Sequence, residues 1–111
     1  MLVLRLVLAA HLAVLTVYSL IVMANHGWNL FPAFFGDMAA MGWPGQFNLD
    51  FTGFLILSAL WTAWRNSFSG AGLLLAVLAF FGGMMFLSIY VLILSFSARS
   101  IQEILLGNAP R

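Results

Sequence analysis

The sequence predicts an all-α integral membrane protein: three transmembrane helices, an interfacial or re-entrant helix between the first two, and a short amphipathic C-terminal helix. Three observations predict it. The 111 residues are 64% hydrophobic and only 6% charged. The apolar residues fall in continuous runs at 2–24, 51–64 and 70–98, and a helix needs about 20 apolar residues to cross ~30 Å of hydrocarbon. The runs do not alternate apolar with polar residues, as the strands of a closed β-barrel would, and no other fold satisfies the backbone in lipid.

The first span covers about residues 3–24. Arg5 near its start and Val22-Met23-Ala24 near its end loosely resemble a signal peptide. The apolar run exceeds the ~7–15 residues usual for one, so it reads as a retained helix. Asn25-His26-Gly27 closes it, because Asn and Gly readily take the left-handed C-cap conformation. The longest connection follows, carrying Trp28, Phe31, Phe34, Phe35, Trp43 and Phe47. A structureless loop of that length is uncommon. Pro32 suits the first turn of a short helix, and Gly42 and Pro44 would end it. Residues 30–43 are too few to span, and tryptophan at both ends suits the membrane interface.

The second span covers about 49–65. Asn48 is the expected N-cap, with Asp50 in the first turn, where the helix dipole favours negative charge. Trp61-Thr62-Ala63-Trp64-Arg65 ends it as an aromatic and cationic anchor, and Asn66-Ser67-Phe68-Ser69-Gly70 is a tight turn. The third span, about 71–98, is long for one crossing and implies tilt. Ser100-Ile101-Gln102-Glu103 reads as a capping box that opens a tail helix over 100–107. Three spans put Arg5 and Arg65 on one side and Arg99 and Arg111 on the other. The positive-inside rule then leans towards an inside N-terminus and an outside C-terminus.

Net charge is +1 with no lysine and no cysteine. Nothing suggests nucleic acid, and disulfides and thiolate metal sites are excluded. No metal-ligand motif, nucleophile elbow, phosphate loop or paired carboxylates are visible, so the expectation is a protein that is not an enzyme and has no catalytic or metal residues.

His11 lies well inside the first span, where ionisable side chains are expensive and often functional. Counting ~1.5 Å per residue along straight antiparallel helices sets it level with Thr62 on the second span and Gly82-Gly83 on the third. The glycines would leave room for a haem or bacteriochlorophyll-type ring ligated by His11, or for proton transfer. The plainer reading is a histidine hydrogen-bonded to Thr62, Ser58 or a carbonyl. Asp50 shares a membrane face with His26, Tyr18, Tyr90 and Arg99. An Asp50–Arg99 or Asp50–Tyr90 contact would tie the second span to the third, or Asp50 and His26 would line a polar mouth. Ser58, Thr62 and Arg65 share one face of the second span, as interhelical hydrogen-bonding groups do and as a solute path would. Gly72, Ala76, Ala79 and Gly83 follow a 4-3-4 spacing that lets another helix approach closely. Their partner would be the first span, through Ala9, Ala13 and Thr16, or another protein.

Asn48-Leu49-Asp50-Phe51, Leu60-Trp61-Thr62-Ala63-Trp64-Arg65, and Gly82-Gly83-Met84 leading into Ser88-Ile89-Tyr90 together carry a resemblance. Over about residues 48–107 the chain resembles small bacterial three-helix inner-membrane proteins known only as domains of unknown function. The resemblance implies a multi-pass protein of the bacterial cytoplasmic membrane and supplies no activity.

The functional expectation is an accessory or structural subunit, packed through its helices against a larger membrane complex such as a respiratory or photosynthetic one. Its partners would be lipids and other subunits or itself. The alternative is a small oligomeric transporter or channel with a polar path through Asp50, Ser58, Thr62 and His11.

Overall fold

The computed structural model describes residues 1–107, and over these the chain is all-helical. Its helices are α1 (Leu2–His26), α2 (Phe31–Ala39), α3 (Trp43–Arg65), α4 (Gly70–Ser97) and α5 (Ile101–Leu106). Two of them, α1 and α4, are long and apolar enough to cross a membrane. At 23 residues α3 has the length, but Gln46, Asn48 and Asp50 dilute its first half, and it falls short in apolar character. The side chains with no exposure are small or polar: Thr62, Ala79, Ser88 and Ser95. Leucines, valines and phenylalanines of α1, α3 and α4 point outward instead. Water would favour the reverse arrangement.

The start of α3 corrects the expected boundary. The helix begins at Trp43 after an extended Gly42, with Pro44 in its first turn. A proline is tolerated there because first-turn amides have no intrahelical partner. Asn48 is therefore inside the helix and is not its cap. Its Nδ2 donates to the Phe34 carbonyl of α2 at 3.1 Å. Asp50 lies beyond the first turn and gains nothing from the free amides. The short helix α2 folds back onto α3 at Gly45, where a Cβ would run into the Asp37 carbonyl and the Met38 Cα. Thus α2 is held as a backbone-to-backbone clasp on the first half of α3.

The larger correction concerns α4. It is helical along its whole length except at Gly83, whose φ of 57° and ψ of −139° lie outside the helical region. Asn66 shows how far the chain turns there. Its Nδ2 donates to the Tyr90 hydroxyl at 3.0 Å, while a Cβ at Gly72 would lie 2.7 Å from the Asn66 Cβ. A straight helix would hold residues 72 and 90 about 27 Å apart. One asparagine and one tyrosine cannot bridge that. A Cβ on Gly82 would sit 2.6 Å from the Phe86 Cβ, against ~5–6 Å for neighbours four apart in a regular helix. So α4 is a hairpin of two arms, 70–82 and 84–97, with Gly83 at its tip against Phe51 and Leu55 of α3.

The first arm descends antiparallel to α3, and the second returns beside it. The second arm then receives α1 on its other side. Arg5 donates from Nε to Ser95 Oγ at 3.2 Å and from Nη2 to the Ser95 carbonyl at 2.6 Å. Eleven residues on, Thr16 Oγ1 donates to Met85 Sδ at 3.5 Å. These two contacts fix α1 as antiparallel to the second arm. The small-residue strip is closed within the chain: Gly72 and Ala79 are buried, and Gly72 and Gly83 face Asn66, Phe51 and Leu55. At Gly83 the partner is α3 and at Gly72 it is Asn66 just after α3, rather than the α1 strip or another protein that the spacing allows.

The reversal predicts an asymmetric glycine response. Gly83→Ala places a side chain at a positive φ and should lower unfolding stability by roughly 1–3 kcal/mol. Gly53→Ala, where nothing lies within 4 Å of the added Cβ and the backbone is helical, should be neutral or stabilising by up to about 1 kcal/mol. Equilibrium unfolding in mixed micelles reads both, and equal responses would contradict the hairpin.

Candidate functional site

Folding α4 back on itself changes which residues are neighbours. The end of the second arm, the end of α3 and the start of α1 come together, so Arg5, Arg65 and Arg99 all lie at one end of the molecule. The expected placement of Arg99 opposite Arg5 and Arg65 is overturned by the turn at Gly83. Arg111 lies outside the described residues. Asp37 is at the opposite end, against Gly45.

Two of these cations, Arg5 and Arg65, are held by carbonyls, not carboxylates. Arg65 is buried. Its Nε donates to the Ile104 carbonyl, and its Nη2 donates to the Glu103 carbonyl at 3.3 Å. Trp61 Nε1 adds a donation to the Leu105 carbonyl at 2.9 Å. Three successive carbonyls at the C-terminal end of α5 are thereby met by side chains of α3, and the first of them, that of Glu103, also accepts from the Gly107 amide at 2.9 Å. A guanidinium also suits the negative end of the helix dipole. Tyr90 completes the anchor: its hydroxyl is 3.4 Å from Arg65 Nη1 and its ring lies at 71° to Trp61 with centroids 6.0 Å apart. At its other end α5 is capped by Ser100 Oγ, which accepts from the Glu103 amide at 3.2 Å. The Glu103 carboxylate accepts from the Arg99 amide at 2.9 Å, one residue before the position a capping box uses.

Between α3 and the second arm runs a half-open groove of about 600 Å³. Phe51, Phe54 and Trp61 of α3 form one wall, Met84, Leu87 and Val91 of α4 the floor, and Leu105 of α5 closes the arginine end. From α1 the groove receives only His11. The imidazole is exposed and makes no hydrogen bond to any described residue, so the expected bonds to Thr62, Ser58 or a carbonyl are not formed. His11 does share the groove with Ser58 and Gly83, but no cluster of three metal-ligating side chains exists among the described residues.

The polar cluster expected around Asp50 does not assemble. Tyr90 sits with Arg65 and Asn66, at the other end of α3. Asp50 is exposed and forms no hydrogen bond or ion pair with Arg99, Tyr90, His26 or any other described residue. Thr62 is fully buried and donates to the Ser58 carbonyl at 2.8 Å, so it lines no path. Ser58 lines the groove, with its Oγ buried and unpartnered. Arg65 as an anchor for α5 escaped the sequence reading. The signal was the apolar tail helix followed by Gly107, which needs a docking site.

No protein family, curated protein or solved structure compared with the chain matches it.

The α5 anchor predicts a local effect. Arg65→Gln removes the fork that reaches Glu103 and Ile104. The loss of charge-assisted bonds should cost about 1.5–3 kcal/mol and raise amide exchange over 101–106, with exchange in α1 unchanged. Uniform exchange changes across the chain would show that Arg65 supports the whole fold and not α5.

Proposed function

We propose that this chain is a small subunit of a bacterial cytoplasmic membrane that acts by packing α1 against a larger membrane protein. The observation that carries the proposal is the state of α1. Its broad contact is with α4 alone, and its outward side leaves Ala9 and Ala13 exposed among Val14, Val17 and Ile21. A shallow depression of about 430 Å³ runs along Ala13, Val14, Val17, Tyr18 and Ile21. Small residues favour close helix approach in lipid, where burial of apolar surface gives no drive of its own.

In this reading α1 and α3 cross the bilayer. Each arm of α4 provides ~20 Å of helix, short of the ~30 Å core, so α4 is a re-entrant hairpin entering from the arginine face. The first half of α3, less apolar, is partly covered by α2. Three arginines on one face then set both the start of α1 and the end of α4 on the cytoplasmic side. The alternative, an oligomeric transporter with a polar path, is weakened because Thr62 is buried and closed onto the Ser58 carbonyl and Asp50 is not among the residues lining the groove that His11 and Ser58 share.

The absence of cysteine makes the topology directly testable. Single cysteines replacing Ser67 and Ser97 should be labelled by an impermeant maleimide from the same side, and one replacing Asn29 from the other. Opposite labelling of Ser67→Cys and Ser97→Cys would restore three full crossings. For the partner, mild-detergent purification from the native membrane should bring down a stoichiometric membrane protein that Ala13→Trp removes. A chain that migrates alone, or a partner indifferent to Ala13→Trp, would sink the subunit reading.

A further inference from the structure

Of the two charges on α3, Arg65 is bound to α5, whereas Asp50 is exposed and unpaired. Its position relates it to the groove. Asp50, Phe54, Leu57 and Trp61 follow i, i+4, i+7 and i+11, one face of a helix, and the last three line the groove. Asp50 thus sits just outside the groove at the hairpin-tip end, next in sequence to the lining residue Phe51 and one turn, about 6 Å, from Phe54. In the membrane reading proposed above, on which this inference rests, it is ~22 Å along α3 from Arg65. A lone carboxylate at that depth is expensive and marks a partner of opposite charge. The chain supplies none there, since its described arginines gather at the far end.

We propose that the groove binds a lipophilic cation, with its apolar body against Phe51, Phe54 and Trp61 and its charge held at Asp50. The volume of about 600 Å³ falls within the ~300–1,000 Å³ of small-molecule sites. The walls are aromatic and apolar, and aromatic faces attract cations, most strongly where water is excluded. An acyl chain would fill the groove and leave Asp50 unpaired. A quaternary phosphonium or ammonium bearing rings satisfies both features. The half-open side gives it a route from the lipid.

Tetraphenylphosphonium is a suitable probe. Equilibrium dialysis against the full chain in phosphatidylcholine nanodiscs should show saturable binding beyond that of empty discs. Asp50→Asn, an exposed near-isosteric change, should weaken it by roughly tenfold or more. Leu87→Trp, which fills the groove floor and keeps Asp50, should weaken it as well. Binding no better than empty discs, or unchanged in Asp50→Asn, overturns the proposal. Loss in Asp50→Asn with none in Leu87→Trp overturns the groove as the site. A co-purified pigment or haem with a visible band lost in His11→Ala would show a different occupant. The maleimide labelling separates the failures: Ser67 and Ser97 on opposite sides would undo the membrane reading, while same-side labelling without binding would undo only this one.

Discussion

The fold depends on one chain reversal inside an apolar helix. Gly83 turns α4 back on itself without an intervening loop, and every later contact follows from that turn. In the proposed membrane reading such a break is costly, because it frees amides and carbonyls that lipid does not satisfy. Helix resumes on both sides at once, which keeps the number of freed groups small, and the tip itself packs against Phe51 and Leu55. Gly82 and Gly83 are both required, for different reasons. Gly83 takes a positive φ that other residues resist, and Gly82 leaves the space into which Phe86 folds.

A second constraint is the scarcity of acids. With three acids in the whole chain, the arginines have almost no carboxylates to meet. Arg65 and Arg5 instead donate to carbonyls at or near helix C-terminal ends, where both the free lone pairs and the dipole are. Arg5 also lies over the Phe96 ring, its Cζ 4.5 Å from the centroid. These arginines therefore act as ties between helices: Arg5 joins α1 to the second arm, and Arg65 joins α3 to α5. Both ties form only because the hairpin brings the end of α4 back.

Much of the helical content was legible in the sequence, because length and apolar content identify helices without reference to packing. The tail helix was legible too, since Ser100 and Glu103 carry a local capping signal. What the residues could not reveal was direction. In a continuously apolar run a Gly-Gly pair reads equally as a surface for another helix and as a turn, and only the neighbours decide. Phe51, Leu55 and Phe86 are those neighbours, and two of them are about thirty residues away. The errors at Tyr90 and Arg99 both descend from that one ambiguity. The error at Asn48 is different in kind: a good capping residue lost to Pro44, which suits a first turn better than it suits a helix end.

The polar residues of α3 divide according to whether their own helix can satisfy them. Thr52 and Thr62 donate to the Asn48 and Ser58 carbonyls one turn back, each at 2.8 Å. Those hydroxyls are closed and solvate nothing else, which is why a polar stripe on a helical wheel does not become a path. A carboxylate has no such recourse, since it can only accept and the interior amides of a helix are already bonded. An imidazole on α1 is in a similar position: its ring cannot fold back to the carbonyl four residues behind as a hydroxyl does. Asp50 and His11, together with the unpartnered Ser58 Oγ, are thus the polar groups at the groove whose chemistry the fold leaves open, and any selectivity of the groove beyond shape must come from them.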